Sequence, residues 1–483
     1  MKREGTLSAK LSRRDFLKSC ALVAGGLAAT TVVAEVATPL VFQEKLEFDE
    51  NKSVWVLSGL PASSPLDADL DVDVAVIGGG YTGLSSAYYL LQRYPEKSVA
   101  VFEAKSVGHG ASGRNGGMLL PQSSNEYMNI ASDPQTHRLV YDVTVKNMND
   151  LEELLKTQSI DYDLRRNGAL LVIAKESHVE QYRQYAEQAH SLEMPIEFWD
   201  RDRTRSEIGT DVYYASLYEP NAAEVHPMKL AYALKNVAEA AGAHIYESSP
   251  VLEMEEDGET VRLVVGERKH KVTAKAVVLA TNAYTSKLGY FRNSMFPLNT
   301  PMAVTPQLPE STFADIGWKK EVGYSDTYML LYHLSRTPDN RILIGSGYVN
   351  YFFNNGVVNQ DDVRMLKAFL QKELTRIYPK LSGIDFEYVW TGVIACSIDL
   401  TQSVGVMGAH KNIYYGLGYA GHGINLATLF GRIIADIYAG EERKWQGLPF
   451  LNHNFIPLPP EPLKWVGVQS TIAYYKTVDW SKW

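Results

Sequence analysis

The chain has 483 residues, is 45% hydrophobic and 21% charged, and carries a formal net charge of −9. Such a length buries a large core across about two or three domains, and the composition is that of a globular enzyme. An acidic body with no basic tract argues against nucleic acid or an anionic membrane surface as partner. With only Cys20 and Cys396 and no C-x-x-C or H-E-x-x-H spacing, a metal site has no support.

Residues 1–34 read as an export signal. Ser12-Arg13-Arg14-Asp15-Phe16-Leu17-Lys18 has the twin-arginine form, and Ser19 to Ala34 is a mildly apolar run ending in small residues suited to cleavage. The run falls short of the roughly 20 strongly apolar residues of a stable span. An ordinary secretory signal or an uncleaved anchor is the alternative. The twin-arginine machinery exports folded proteins, so it is an expected partner for a chain that takes up a cofactor before export. The expected location is periplasmic, or attached to the outer face of the inner membrane. Residues 35–70 form an extended lead-in around one apolar patch, Val54 to Leu57.

Residues 71–125 open a cofactor domain. Val74 to Ile77 reads as a buried strand; Gly78, Gly80 and Gly83 follow in G-x-G-x-x-G register; a helix runs from Leu84 to Arg93; and a strand, Ser98 to Phe102, ends at Glu103. The glycines allow a tight turn, close approach to a pyrophosphate and helix packing, while the acid accepts from ribose hydroxyls. This βαβ unit predicts dinucleotide binding on a Rossmann-like α/β domain. Next, Gly108 to Met118 places five glycines among Ser112, Arg114 and Asn115. So much glycine is entropically costly, and Ser and Arg suit a pyrophosphate.

Residues 126–224 look like the first half of an α+β substrate domain. They hold a helix from Pro134, a strand pair over Tyr162 to Ala174 hinged at Asn167-Gly168, and a helix over His178 to Glu193. The cofactor domain resumes over 225–290, with a helix from Met228, a hairpin turned at Asp257-Gly258, and a buried strand, Ala276 to Leu279, expected to be the last of the parallel set. Residues 291–387 supply the second half of the insertion. There Tyr328 to Tyr332 and Arg341 to Tyr348 read as strands of an antiparallel sheet; Tyr332 and Tyr348, with Trp390 just beyond this stretch, are candidate pocket walls. Residues 388–445 return to the cofactor through Gly418 to Asn425, a glycine-rich turn before a helix, and 446–483 form a tail. Cys396 reads as a small buried hydrophobe rather than a flavin-linked thiol.

Seven ordered blocks then resemble one family, the FAD-dependent D-amino-acid-oxidase-like oxidoreductases. They are VAVIGGGYTGLSSAYYL, EAKSVGHGASGRNGGM, EVHPMKLAYALKNVAEAAGAHIYE, AVVLATNAYT, RILIGSGY, VWTGVIACSIDLTQSVG and YYGLGYAGHGINLATLFGRIIAD. The tail FIPLPPEPLKW resembles the gamma-glutamylputrescine oxidase branch. The resemblance implies FAD as cofactor, held at the ADP portion by Gly78, Gly80, Gly83, Glu103 and Lys105. It implies Ser112, Arg114, Asn115, Gly116, Gly117 and Met118 at the pyrophosphate and ring, and the Val251 backbone near adenine. Gly421, His422, Gly423 and Ile424 would lie at the pyrimidine end. Glycine-oxidase-like members carry carboxylate-binding arginines where this chain has Ile394 and Gly421. The implied chemistry is oxidation of a C–N bond in an amine or amino-acid-like substrate, with oxygen or a quinone as electron acceptor and no obligatory protein base. The alternatives are a quinone-linked amino-acid dehydrogenase or deaminase, and a flavin-binding redox protein without turnover; a nicotinamide enzyme is weaker, for lack of a second glycine fingerprint.

Overall fold

A computed structural model describes residues 52–57, 61–122, 133–156 and 161–479; the export signal expected at 1–34 lies outside them. Leu70–Ile77 is a strand whose last four residues, Val74 to Ile77, are all apolar and buried, the pattern of a sheet covered on both faces. It lies within an eight-stranded sheet. The parallel strands run in the order His244–Tyr246, Val99–Phe102, Leu70–Ile77, His270–Leu279 and Ile413–Leu417, with Ser403–Met407 antiparallel at the edge. The hairpin Val251–Asp257 and Thr260–Val265 pairs with the first half of His270–Leu279. Rather than ending the parallel set, His270–Leu279 pairs on its far side with Ile413–Leu417. That neighbour reads as a strand in the sequence too, but it comes from more than a hundred residues downstream, so no local pattern announces the pairing.

Two helices pack closely over this sheet, Tyr81–Arg93 and Gly423–Tyr438. Gly431 marks their contact, since a Cβ there would lie 2.4 Å from Ser85 Cβ and 2.6 Å from the Ser86 nitrogen. Buried Leu84, Leu426, Leu429, Phe430 and Ile434 fill the space around it.

The second sheet also has eight strands, in the order Tyr388–Cys396, Phe296–Val304, Ile342–Ser346, Tyr332–Arg336, Gly323–Asp326, Ala169–Val172, Ser216–Glu219 and Glu197–Trp199. All pairings are antiparallel except Gly323–Asp326 with Ala169–Val172, which joins the two halves of the insertion. Only Ala169–Val172 of the strand pair expected at Tyr162 to Ala174 is a strand. It pairs with Ser216–Glu219, so Asn167-Gly168 does not turn a hairpin. Likewise the strand near Tyr328 starts only at Tyr332, because Asp326 Oδ1 accepts from the amides of both Tyr328 and Tyr332 and closes a turn between them. Tyr388–Cys396 pairs with Phe296–Val304 along nine residues, so the second sheet extends past the boundary expected at 387/388. Cys396 is buried there with Phe296, Leu330 and Tyr351. The tail forms a helix, Leu463–Asp479, whose Asp479 carboxylate accepts from the Met329 and Leu330 amides.

Replacing Gly431 by valine should overpack the helix contact and cost about 1–3 kcal/mol, read as a lowered thermal midpoint. Gly467→Ala, where a Cβ meets nothing within 4 Å, should leave the midpoint unchanged or raise it.

Candidate functional site

The C-terminal ends of the parallel strands open on a cavity of about 300 Å³. Its first wall is the glycine turn. Gly78 has φ +107° and a Cβ there would meet the Ala280 carbonyl oxygen at 2.7 Å; one on Gly83 would lie 1.9 Å from the Gly78 oxygen. No larger residue fits either place. Gly80, at the N-terminus of Tyr81–Arg93, has no side chain to cap it, and the helix start faces the cavity. The Tyr81 amide donates to Ser112 Oγ at 3.1 Å. Glu103 accepts from the Gly79 amide (2.8 Å) and the Lys105 amide (2.9 Å), one on each carboxylate oxygen. Burial pushes the Glu103 carboxyl above its ordinary value, and the backbone amides of Lys105, Gly79 and Ala104 oppose that rise. Val251 lines the cavity as well; Gly83, Lys105 and Gly117 do not. Lys105 contributes its backbone, and the two glycines contribute close packing. A helix start, a glycine cradle and a buried acid fit the ADP half of a dinucleotide.

The second wall is the loop from Gly108 to Met118, and it is fastened from outside. The carbonyls of three consecutive residues each accept from a different side chain. Ser53 Oγ donates to Gly113 at 2.6 Å, Trp390 Nε1 to Arg114 at 3.0 Å, and Trp55 Nε1 to Asn115 at 2.8 Å. Inside the loop, Arg114 Nε donates to the His109 carbonyl and its Nη1 to Thr391, while Asn115 Oδ1 accepts from the Gly117 amide. Gly117 has φ +77°, and a Cβ on it would lie 2.4 Å from the Val225 oxygen. Ser112, Arg114, Asn115, Gly116 and Met118 all line the cavity. Sequence reading missed Ser53 and Trp55. Their signal was the apolar patch Val54 to Leu57 in a polar lead-in, which needed something to pack against.

The far end of the cavity lies under the second sheet. None of Tyr332, Tyr348 and Trp390 lines it. Tyr332 faces the opposite side of its strand, buried in the second core and stacked on Phe369. Tyr348 lies beside Phe369 and Lys476, whose ammonium is 4.7 Å from the ring centre. Trp390 is fully buried beneath the Arg114 carbonyl it bonds. The residue that does reach the cavity is His333, next to Tyr332; a shift of one position along a strand changes the face. Burial, with His422 close by, holds its imidazole down at about 4. Thr300, Met302, Ser325, Leu331, Ser346 and Ile394 complete this end. Thr300 Oγ1 is buried without a protein hydrogen-bond partner.

From the other side come Gly421, His422, Gly423 and Ile424, at the start of Gly423–Tyr438, a second helix N-terminus without a side-chain cap bond. Ile394 and Gly421 face each other: Ile394 Cδ1 lies 3.9 Å from where a Gly421 Cβ would be. Among the described residues, Glu103 and Arg114 are the only Asp, Glu, Lys or Arg side chains in the lining. Residues 123–132, outside the described residues, contain no Lys or Arg and one acid, Glu126.

Trp390→Phe removes one loop fastener while keeping the bulk of the ring. A hydrogen bond of this kind contributes about 0.5–1.5 kcal/mol, so the variant should fold and bind the cofactor about two- to tenfold more weakly, measured by fluorescence titration of the apoprotein. Unchanged affinity would remove the loop's fastening from the account.

Residues 73–437 match the family DAO, described as FAD dependent oxidoreductase. Gamma-glutamylputrescine oxidoreductase of Escherichia coli (strain K12) is 30% identical over 403 residues, covering 81% of this chain and 89% of that protein. The crystal structure of glycine oxidase from Geobacillus kaustophilus is similar with a TM-score of 0.68 and 21% identity, covering 80% of this chain and 100% of that one. L-amino acid deaminase from Proteus vulgaris gives a TM-score of 0.65 at 13% identity, covering 82% of this chain and 100% of that one. At such identities the two solved structures speak for the fold alone. The family match runs from within the first strand to the end of the closing helix, the same stretch whose glycines and helix starts surround the cavity. The chain therefore belongs to the DAO family of FAD-dependent oxidoreductases.

Proposed function

We propose that the protein oxidises the C–N bond of an amine whose reacting carbon bears no carboxylate, giving an imine that hydrolyses to a carbonyl compound and ammonia or a smaller amine. The observation that carries this reading is the end of the cavity under the second sheet. Ile394 meets Gly421 there, and no Lys or Arg lines that end among the described residues. A carboxylate buried without a charge partner is costly, so an α-amino acid fits poorly. The named activity of the Escherichia coli relative is consistent with an amine.

Bound FAD supplies the two-electron acceptor for the hydrogen leaving that carbon. The chain's own part is positional. Met302, Leu331 and Ile394 give a dry wall, and the hydroxyls of Thr300, Ser325 and Ser346 offer hydrogen bonds that fix the substrate. No Asp, Glu or Lys lines this end among the described residues, so the amine must shed its proton before reacting. Oxygen or a quinone is the proposed electron acceptor, and export by the twin-arginine route, resting on Ser12 to Lys18, is proposed for its location.

The test is anaerobic mixing of the purified holoenzyme with a panel of amines and amino acids while the visible spectrum is followed. Amines should bleach the flavin and α-amino acids should not; bleaching by α-amino acids alone would refute the reading. The kcat/KM of a reactive amine should rise with pH toward its ionisation, near pH 10 for an alkylammonium group. Because the His333 imidazole is held at about 4, it is already neutral above about pH 5 and should add no inflection between about pH 5 and 8. A pH-independent kcat/KM would contradict the requirement for a neutral amine.

A further inference from the structure

The His333 ring occupies a slot made by two absent side chains. A Cβ on Gly116 would lie 2.9 Å from its Cδ2 and Nε2, and a Cβ on Gly345 would lie 2.7 Å from its Cε1 and Nε2. Gly116 belongs to the fastened loop, and Gly345 to the strand Ile342–Ser346. Strand register places His333 opposite Ser325 on one side and Gly345 on the other, with Met302 next in the row. Paired residues share a face; Ser325, His333 and Met302 of this row line the cavity, and His333 is the largest polar one of the three. The ring is thus held from two sides, where the cofactor loop meets the substrate end. Facing it is His422, at the start of Gly423–Tyr438, where the helix's positive end also disfavours a second positive charge.

We propose that His333 is the residue that sets substrate choice: its imidazole accepts a hydrogen bond from the substrate nitrogen, and its presence in the glycine slot keeps a cation out of the place where a carboxylate on the reacting carbon would need one. The proposal rests on the amine-oxidation reading and assigns its selectivity to one side chain. Met302 shares the space at Gly345, where its Sδ would lie 2.0 Å from a Cβ.

The experiment compares wild type, His333→Ala, His333→Gln and His333→Arg as flavin-loaded proteins. Each is reduced anaerobically by primary amines of three to six carbons and by the matching amines bearing a carboxylate on the reacting carbon. Gln, an uncharged acceptor, should keep the wild-type order of reactivity. Ala, which introduces no clash, should slow reduction by the plain amines at least about tenfold at unchanged flavin content. Arg should shift the rate ratio toward the carboxylated partners by at least about tenfold. Should Arg fail to retain flavin, the Ala and Gln results decide alone. Reduction that Ala leaves unaltered overturns the proposal while the amine reading stands. Absence of reduction by every amine in wild type overturns both.

Discussion

The site depends on how the loop from Gly108 to Met118 is fastened. A stretch with this much glycine loses more entropy on ordering than almost any other, and its own side chains supply only part of the restraint. Ser53, Trp390 and Trp55 supply the rest by donating to the carbonyls of Gly113, Arg114 and Asn115 in turn. The three donors come from two places, the lead-in before the first strand and the edge strand Tyr388–Cys396 of the second sheet. The loop is therefore where the cofactor domain and the second sheet are locked together.

From that lock the rest of the site follows. Trp390 lies in the row that runs Ser325, His333, Gly345, Met302, Trp390 across the second sheet. Its Nε1 holds the loop over one end of the row, while His333 meets the same loop at Gly116. One strand register thus fixes both the cofactor loop and the histidine that reaches the far end of the cavity. Two helix starts, at Gly80 and at His422, then face the cavity from the opposite wall. The charge pattern is lopsided as a result. Among the described residues, an acid and a guanidinium lie with the groups fitted to the cofactor, and the far end is lined by hydroxyls, imidazoles and apolar walls.

The opening βαβ unit was legible because every part of it is local: a four-residue apolar run, three glycines at fixed spacing and an acid at the end of the next strand. The pairing of Ile394 with Gly421 was also foreseeable as a departure at two separate motifs, although only the fold brings them within reach. The pocket walls were not legible. Tyr332 and His333 are neighbours, and which one faces the cavity depends on a register set by Gly345 and Ser325, residues that carry no such signal alone. Trp390 was singled out for its bulk, and its real task, holding a carbonyl of a loop 276 residues away, leaves no trace in composition or period. Long-range pairing similarly decided the place of Ile413–Leu417 and the membership of Tyr388–Cys396 in the second sheet.

The central claim is that no cation waits at the substrate end for a carboxylate on the reacting carbon. Titrating the oxidised holoenzyme with acetate and propionate, and following the flavin absorbance, tests it without turnover. The account predicts no saturable spectral change up to tens of millimolar ligand, roughly the limit for contacts worth only about 2 kcal/mol. Saturable perturbation at submillimolar carboxylate would contradict it.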